Sequence, residues 1–230
     1  QAANTLTARW CGHLGGEDYA LSGAGLWPLL ALLASAADDP AAAELVGALD
    51  RPTDDAQQEA LEIIELLRGG QSTTAALGIW TRQHVPLDEQ WAAPLHDGVV
   101  GPLTDQAALG GLDRWADEQT GGLIEKFPLG IDDETLLVLA SALTARVRWR
   151  TPFEGSPRDG GDEWSWSDDP GPADQQSLRR ATSDLSIAAV LDDVVTRVVV
   201  EGDGDVDVHL LLGGDQPPGE VLGAGLRELS

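Results

Sequence analysis

Residues 134–149 constrain the fold more strongly than any other stretch of the sequence. In an extended chain, their side chains are apolar on both faces until Arg146 and Arg148 interrupt one of them. This pattern is typical of a long central strand that is covered on both sides. Alanine and leucine also favour helices, so a helix is the competing interpretation. We predict the strand, with these two faces: Leu137, Leu139, Ser141, Leu143, Ala145, Val147 and Trp149; and Leu136, Val138, Ala140, Ala142 and Thr144.

The residues before this strand show mostly helical periodicity, broken by short turns. The nearly all-apolar stretch 26–37 predicts a helix that is buried all round. Asp39 followed by Pro40 indicates an N-cap and a proline at the first helical position. The predicted helices are 6–14, 26–37, 40–49, 53–67, 87–96 and 104–120, and the predicted strands are 19–21 and 73–82.

The residues after the strand have a different character. Residues 154–178 are polar and rich in Asp, Gly, Pro and Ser, which predicts a loop. Two alternating segments, 194–201 and 206–212, flank Gly202-Asp203-Gly204 and predict a hairpin. A last helix is predicted from Val221. The residue pattern therefore describes an acidic α+β domain.

Charge and composition exclude several classes of function. The chain has 14 basic and 39 acidic residues and a net charge of −25. A field of this sign repels phosphate, so neither a nucleic acid nor an anionic membrane is a predicted partner. The single cysteine, Cys11, excludes an internal disulfide framework. The longest apolar stretch, 26–37, is too short to span a bilayer.

No arrangement of residues predicts catalysis, a cofactor or a metal. Asp203, Asp205 and Asp207 have the spacing that opens a calcium loop, but the glycine and the closing carboxylate of that motif are absent. We interpret the alternation as a strand in which His209 points to solvent and Leu210 points inward. Nucleophile elbows, phosphate-binding loops and paired zinc-binding histidines are also absent from the sequence.

Three segments in the middle of the chain resemble sequence motifs of the serpin family, and they occur in the order and spacing that the family has. Residues 112–124 resemble "(I/L)N-x-W-(V/A)-x-x-x-T-x-G-x-I", residues 133–142 resemble "T-x-L-V-L-x-N-A", and residues 149–153 resemble "W-x-x-P-F". Upstream, residues 20–22 are similar to the start of "F-S-P-x-S". The hairpin 194–212 fits the strand pair of the family. Together, the matches cover most of the chain.

The resemblance implies a serpin-like α+β fold, with helices packed on a large mixed sheet and a second, smaller sheet. Residues 1–230 would be part of one domain, with the hinge, the reactive-centre loop and the last strands on polypeptide outside them. One edge of the main sheet should then lack a neighbouring strand. The implied partners are a target protease and either the remainder of the domain or another chain that completes the sheet.

The implied function is protease inhibition as a suicide substrate, in which a cleaved bait loop inserts into the large sheet as a new strand. A non-inhibitory binding protein with the serpin fold is the first alternative, and a small acidic enzyme of another fold is the second. The family implies an extracellular location, with the cytoplasm as the alternative. The reactive-centre bond is not assigned to any residue of this chain.

The resemblance gives three residues structural roles and none a catalytic role. Ser22 and Ser141 would hydrogen-bond to each other beneath the point where the sheet opens, in a polar cluster called the shutter. Trp149 would be buried at the end of the long strand, where insertion begins. The sequence departs from the family beside Ser22, because Gly23 and Gly25 replace the proline and the second serine of the motif.

Overall fold

The computed structural model describes residues 1–13, 19–52, 55–95, 99–157 and 176–228. These residues form an α+β fold in which three sheets are described. The helices are α1 (Ala2–Cys11), α2 (Gly23–Ala36), α3 (Ala41–Leu49), α4 (Ala56–Arg68), α5 (Glu89–Ala92), α6 (Asp105–Thr120) and α7 (Pro218–Arg227). The strands are β1 (Thr73–Thr81), β2 (Val100–Pro102), β3 (Leu137–Ala145), β4 (Glu154–Pro157), β5 (Gln176–Arg179), β6 (Ala188–Leu191), β7 (Val195–Val200) and β8 (Val208–Leu212).

The main sheet has the strand order β2-β1-β3. β1 and β3 are antiparallel over their full lengths, from the Thr73–Ala145 pair to the Thr81–Leu137 pair. The prediction of a strand was therefore confirmed, but its boundaries were wrong, because β3 ends four residues before Trp149. In the part of the chain that the structure describes, β3 has a neighbour on one side only.

Both faces of β3 are covered, as the apolar pattern predicted. On one face, Leu139 and Leu143 pack against a core formed with α2 and α4, in which Ile79 of β1 is fully buried. On the other face, Val138 packs with Leu112 of α6. Burial of apolar side chains in both layers stabilises the strand, even though one of its edges has no strand partner.

The hydrogen bonds at the two ends of the β1–β3 pair show which backbone groups are used. The Arg82 N–H donates to the Leu136 carbonyl, and the Arg146 N–H donates to the Ser72 carbonyl. Hydrogen-bonded pairs alternate along an antiparallel ladder, so even-numbered residues of β3 bond to β1. The N–H and C=O groups of the odd-numbered residues point away from β1, and these residues are Leu137, Leu139, Ser141, Leu143 and Ala145.

The helix α2 forms the centre of the core. Trp27, Ala31 and Leu32 are at most 1% exposed, and the helix contacts α4 and β3. The predicted helix was confirmed, but it is not buried all round, because Leu29 and Leu30 are half-buried and Ala36 is exposed. The predicted strand 19–21 was wrong, because the described residues there lead directly into Ser22, which caps α2. The predicted start of α3 was also wrong, because Pro40 occupies the N-cap position.

The second sheet contains the predicted hairpin, β7 and β8, and a third strand, β6, that sequence patterns did not reveal. The predicted orientation of β8 was wrong. His209 is half-buried and Leu210 is 55% exposed. Register explains the difference, because α7 packs on the face that carries Leu211 and therefore also His209. Leu210 lies on the opposite face.

The hairpin of the second sheet is attached to the start of β1 by a carboxylate. Asp205 accepts hydrogen bonds from the backbone N–H groups of Gln71, at 2.8 Å, and Ser72, at 3.0 Å. The Gln71 bond, followed by the Ser72 bonds, holds the pKa of Asp205 below its ordinary value, against a smaller opposing effect of desolvation. The charged form is therefore favoured by folding.

We expect Asp205→Asn to lower the urea midpoint at pH 7, because the amide oxygen accepts these bonds more weakly than a carboxylate. A carboxyl with a depressed folded pKa stabilises the fold above its unfolded pKa of about 3.9, and this stability is lost as the pH falls through the folded value. The difference between variant and wild type should therefore shrink between pH 5 and pH 3. Asp215→Asn, at an exposed position, is the control, and equal midpoints for all three proteins at pH 7 would contradict the attachment.

The hydrogen-bond pattern of β3 is tested by proline at two adjacent, exposed positions. Arg146→Pro removes an N–H that donates to Ser72, whereas Ala145→Pro removes an N–H that points away from β1. We expect Arg146→Pro to lower the free energy of unfolding by about 0.5–1.5 kcal/mol more than Arg146→Ala does. The alanine variant measures the effect of losing the arginine side chain alone. Ala145→Pro should change the free energy of unfolding by about 0.5 kcal/mol or less. Equal losses from the two prolines would show that the assigned pattern is wrong.

Candidate functional site

The candidate site is the unpaired edge of β3 together with the first turn of α2 beneath it. Ser141 lies at the middle of β3, opposite Leu77 of β1. Its side chain is on the face that α2 and α4 cover, and its backbone groups point to the unpaired edge. A polypeptide that paired with β3 would therefore lie beside Ser141, in the plane of the sheet and near the start of α2.

The structure brings Ser22 and Ser141 together at Gly25. The Ser22 hydroxyl accepts a hydrogen bond from the Gly25 N–H at 3.0 Å and so caps α2. A Cβ atom at Gly25 would lie 2.9 Å from the Ser141 Oγ and 3.2 Å from the Ser22 Oγ. The two hydroxyls thus flank the same glycine, on the inner face of the sheet.

The predicted hydrogen bond between the two serines is not formed. Among the residues described by the structure, the Ser141 hydroxyl has no hydrogen-bond partner. The physical reason is local, because Ser22 directs its oxygen to the Gly25 N–H and so satisfies one of the free donors at the start of the helix. Ser141 is half-buried, so its hydroxyl contacts α2 without a bond to it.

The two glycines that depart from the family motif are sites of close approach. A Cβ at Gly23 would lie 1.9 Å from the Thr7 Oγ1 and 2.2 Å from the Ala3 carbonyl oxygen of α1. No side chain fits at that distance without a shift of the α1 backbone. The sequence signal, glycine in place of proline and serine, therefore marked tight packing of α2 against α1 at Gly23 and against β3 at Gly25.

Trp149 is half-buried, but it does not lie at the end of β3 as predicted. It lies four residues beyond that end, where it pairs with Gly202 in a single antiparallel bridge. Its ring makes an edge-to-face contact with Phe153, with centroids 5.8 Å apart, and the Arg180 guanidinium lies over the Phe153 ring. The reason is that the chain leaves β1 after Arg146 and crosses to the hairpin of the second sheet.

No described part of the chain has the donor set of a metal centre. Within residues 1–13, 19–52, 55–95, 99–157 and 176–228, no group of three or more His, Cys, Asp or Glu residues could hold an ion. No described helix is long and apolar enough to cross a bilayer. The arrangement around β3 can form backbone hydrogen bonds and bury side chains, which are the requirements of a polypeptide-binding site.

Comparison with known proteins identifies the family. A family model for serpins, the serine protease inhibitors, matches residues 3–160. This match covers more than half of the 230 residues, so the chain belongs to the serpin family. No curated protein sequence matches the chain.

Solved structures show the same fold at low sequence identity. Reactive-loop-cleaved human thyroxine-binding globulin is 14% identical, with a TM-score of 0.70, and the match covers 99% of this chain and 72% of that one. A thermophilic serpin, tengpin, in the latent state is 13% identical, with a TM-score of 0.70 and coverage of 99% and 64%. Arabidopsis AtSerpin1 in its native stressed conformation is 15% identical, with a TM-score of 0.67 and the same coverage.

The contact at Gly25 is tested by a double-mutant cycle. Gly47 lies in α3 with nothing within 4 Å of its Cβ position, so Gly47→Ala should stabilise the protein by about 0.5–1 kcal/mol through helix propensity. Gly25→Ala should stabilise the protein less than this, or destabilise it, because the added methyl group meets the Ser141 side chain. When Ser141→Ala is also present, we expect Gly25→Ala to give most of the stabilisation that helix propensity provides. The same gain at Gly25 and Gly47 in both backgrounds would contradict the contact.

Proposed function

We propose that this chain is part of a serpin that inhibits a serine protease as a suicide substrate, with the bait loop on polypeptide outside these residues. The observation that supports this best is the edge of β3, where the N–H and C=O groups of five consecutive odd-numbered residues have no partner within the described part of the chain. After cleavage, the loop would pair there as a new strand. The added main-chain hydrogen bonds and buried side chains would favour insertion.

The two layers around β3 support this proposal in different ways. On the inner face, Ser22, Gly25 and Ser141 form a narrow, small-residue floor where an inserted strand would pass. On the outer face, α6 lies across β1 and β3, and Trp115 of α6 contacts Trp80 edge to face at 5.1 Å. In this mechanism, α6 would have to move as the sheet expands. Trp149, at the junction with the second sheet, would lie near the start of insertion.

We further propose that additional polypeptide completes both sheets, either the remainder of the domain or another chain. The supporting observation in the second sheet is an apolar outer face. Val190, Leu210 and Leu212 lie on that face and are 66%, 55% and 50% exposed. Exposed apolar side chains on β6 and β8, the two strands that flank β7, favour a covering layer. The chain also spans 64–72% of the length of the solved serpins named above.

The edge-pairing step can be tested with residues 1–230 and a nine-residue peptide of alternating small and polar residues. We expect binding, with slowed hydrogen exchange at the odd-numbered residues of β3. Two N-methylated versions are the matched controls. Methylation at alternate residues on the side that faces β3 should abolish binding, and methylation on the other side should not. Binding that is insensitive to the side methylated would contradict edge pairing.

The inhibitory step needs the complete gene product and a panel of serine proteases. A suicide substrate gives a covalent adduct that survives SDS, whereas an ordinary substrate is only cleaved. Cleavage without an adduct would favour the alternative, a non-inhibitory binding protein. One observation favours that alternative: the hydroxyls of Ser22 and Ser141, which the resemblance would pair in a shutter, are not hydrogen-bonded to each other.

Neither proposed function makes the chain an enzyme, because one is inhibition of a protease and the other is binding of a partner. The proposed location is extracellular, where target proteases of such inhibitors act, and the alternative is the cytoplasm. Secretion of a tagged complete gene product separates the two. The net charge of −25 opposes binding to nucleic acids and anionic membranes at either location.

A further inference from the structure

A cavity of about 500 Å³ lies beside the start of β3, away from Ser22 and Ser141. Ile79, Leu137 and Leu139 form its floor in the main sheet, and Leu32 of α2 and Trp91 of α5 form its walls. Ile79 and Leu32 are fully buried. The volume is within the range of about 300–1,000 Å³ that is typical of sites for small molecules.

The wall that contains Trp91 is held in place by hydrogen bonds. The indole N–H donates to the Ser35 Oγ at 2.9 Å. The Trp91 carbonyl accepts from the Gln57 side chain at 2.7 Å, and its backbone N–H donates to Asp88 at 2.8 Å. These bonds fix the ring against the end of α2, so the cavity has a preformed aromatic wall.

One charged side chain, a carboxylate, is among the described residues that line the cavity. Asp88 lines it and is exposed, and one of its oxygens caps α5. In the part of the chain that the structure describes, no Lys or Arg pairs with Asp88. Among the described residues that line the cavity there is no Lys, Arg or His, so they offer no countercharge to an anionic ligand.

We propose that this cavity binds a small amphiphilic cation, with an apolar or aromatic body in the cavity and an ammonium group at Asp88. The net charge of −25 raises the local concentration of cations, and the apolar floor favours a ligand with a hydrophobic body. The face of Trp91 adds a cation–π or stacking contact. The proposal does not rest on protease inhibition, although its floor shares Leu137 and Leu139 with the unpaired edge of β3, so a strand paired at that edge would border the cavity.

Three naphthalene derivatives of similar size test the proposal by calorimetric titration of residues 1–230. They are 1-naphthylmethylammonium, 1-naphthylmethanol and 1-naphthylacetate. The cation should bind more tightly than the neutral alcohol by about fivefold to tenfold, and the acetate should bind weakest. Equal affinities, or the acetate as the tightest ligand, would overturn the proposal.

Two variants locate the site, and one controls for bulk charge. Asp88→Asn keeps a good helix cap and should remove the preference for the cation without weakening the alcohol. Ala36→Phe places a ring at the exposed rim of the cavity and should weaken all three ligands. Asp215→Asn removes one charge elsewhere and should change nothing. Binding that survives Ala36→Phe, or that falls equally in the two Asp variants, would mean non-specific attraction and would overturn the proposal.

Discussion

The antiparallel pairing of β1 with β3 is the interaction on which the rest of the structure depends. Its register sets which side chains of β3 face α2 and α4 and which face α6, and both sets are apolar. The same register sets which backbone groups bond to β1 and which are left unpaired. A single alignment of nine residue pairs therefore determines the core, the cover of the sheet and the candidate site.

Local patterns predicted most of the elements, and long-range contacts decided the rest. The loop predicted at 154–178 was wrong at both ends, where β4 and β5 pair with each other. The two apolar faces of residues 134–149 predicted a doubly covered strand. The C-terminal end of the strand could not be predicted, because it depends on the length of β1. Since β1 begins at Thr73, β3 has no strand partner beyond Ala145. The short strands β2 and β6 have too few residues for a recognisable period. The orientation of β8 depended on α7, which follows it in the chain and packs on His209's face.

The residues of the candidate site could be predicted from the sequence, but their contacts could not. The resemblance indicated Ser22 and Ser141, and the structure places both against Gly25. Their hydrogen bonding could not be predicted, because it depends on how closely α2 approaches β3, which is a property of the packed helices. The predicted place of Trp149 at the strand end was wrong for a related reason, since the chain turns toward Gly202 instead of continuing along β1. The cavity beside Trp91 combines residues from four separate parts of the sequence, which no local pattern connects.

The unpaired groups of β3 also restrict the sequence of any strand that joins them. All of the free donors and acceptors belong to odd-numbered residues, so a partner can shift along β3 only in steps of two residues. Each permitted shift keeps the same alternate side chains of the partner above α2 and the others below α6. A loop lengthened or shortened by one residue before its pairing segment would present the opposite set. Selection on such a loop would therefore act on whether its length is odd or even as well as on its composition.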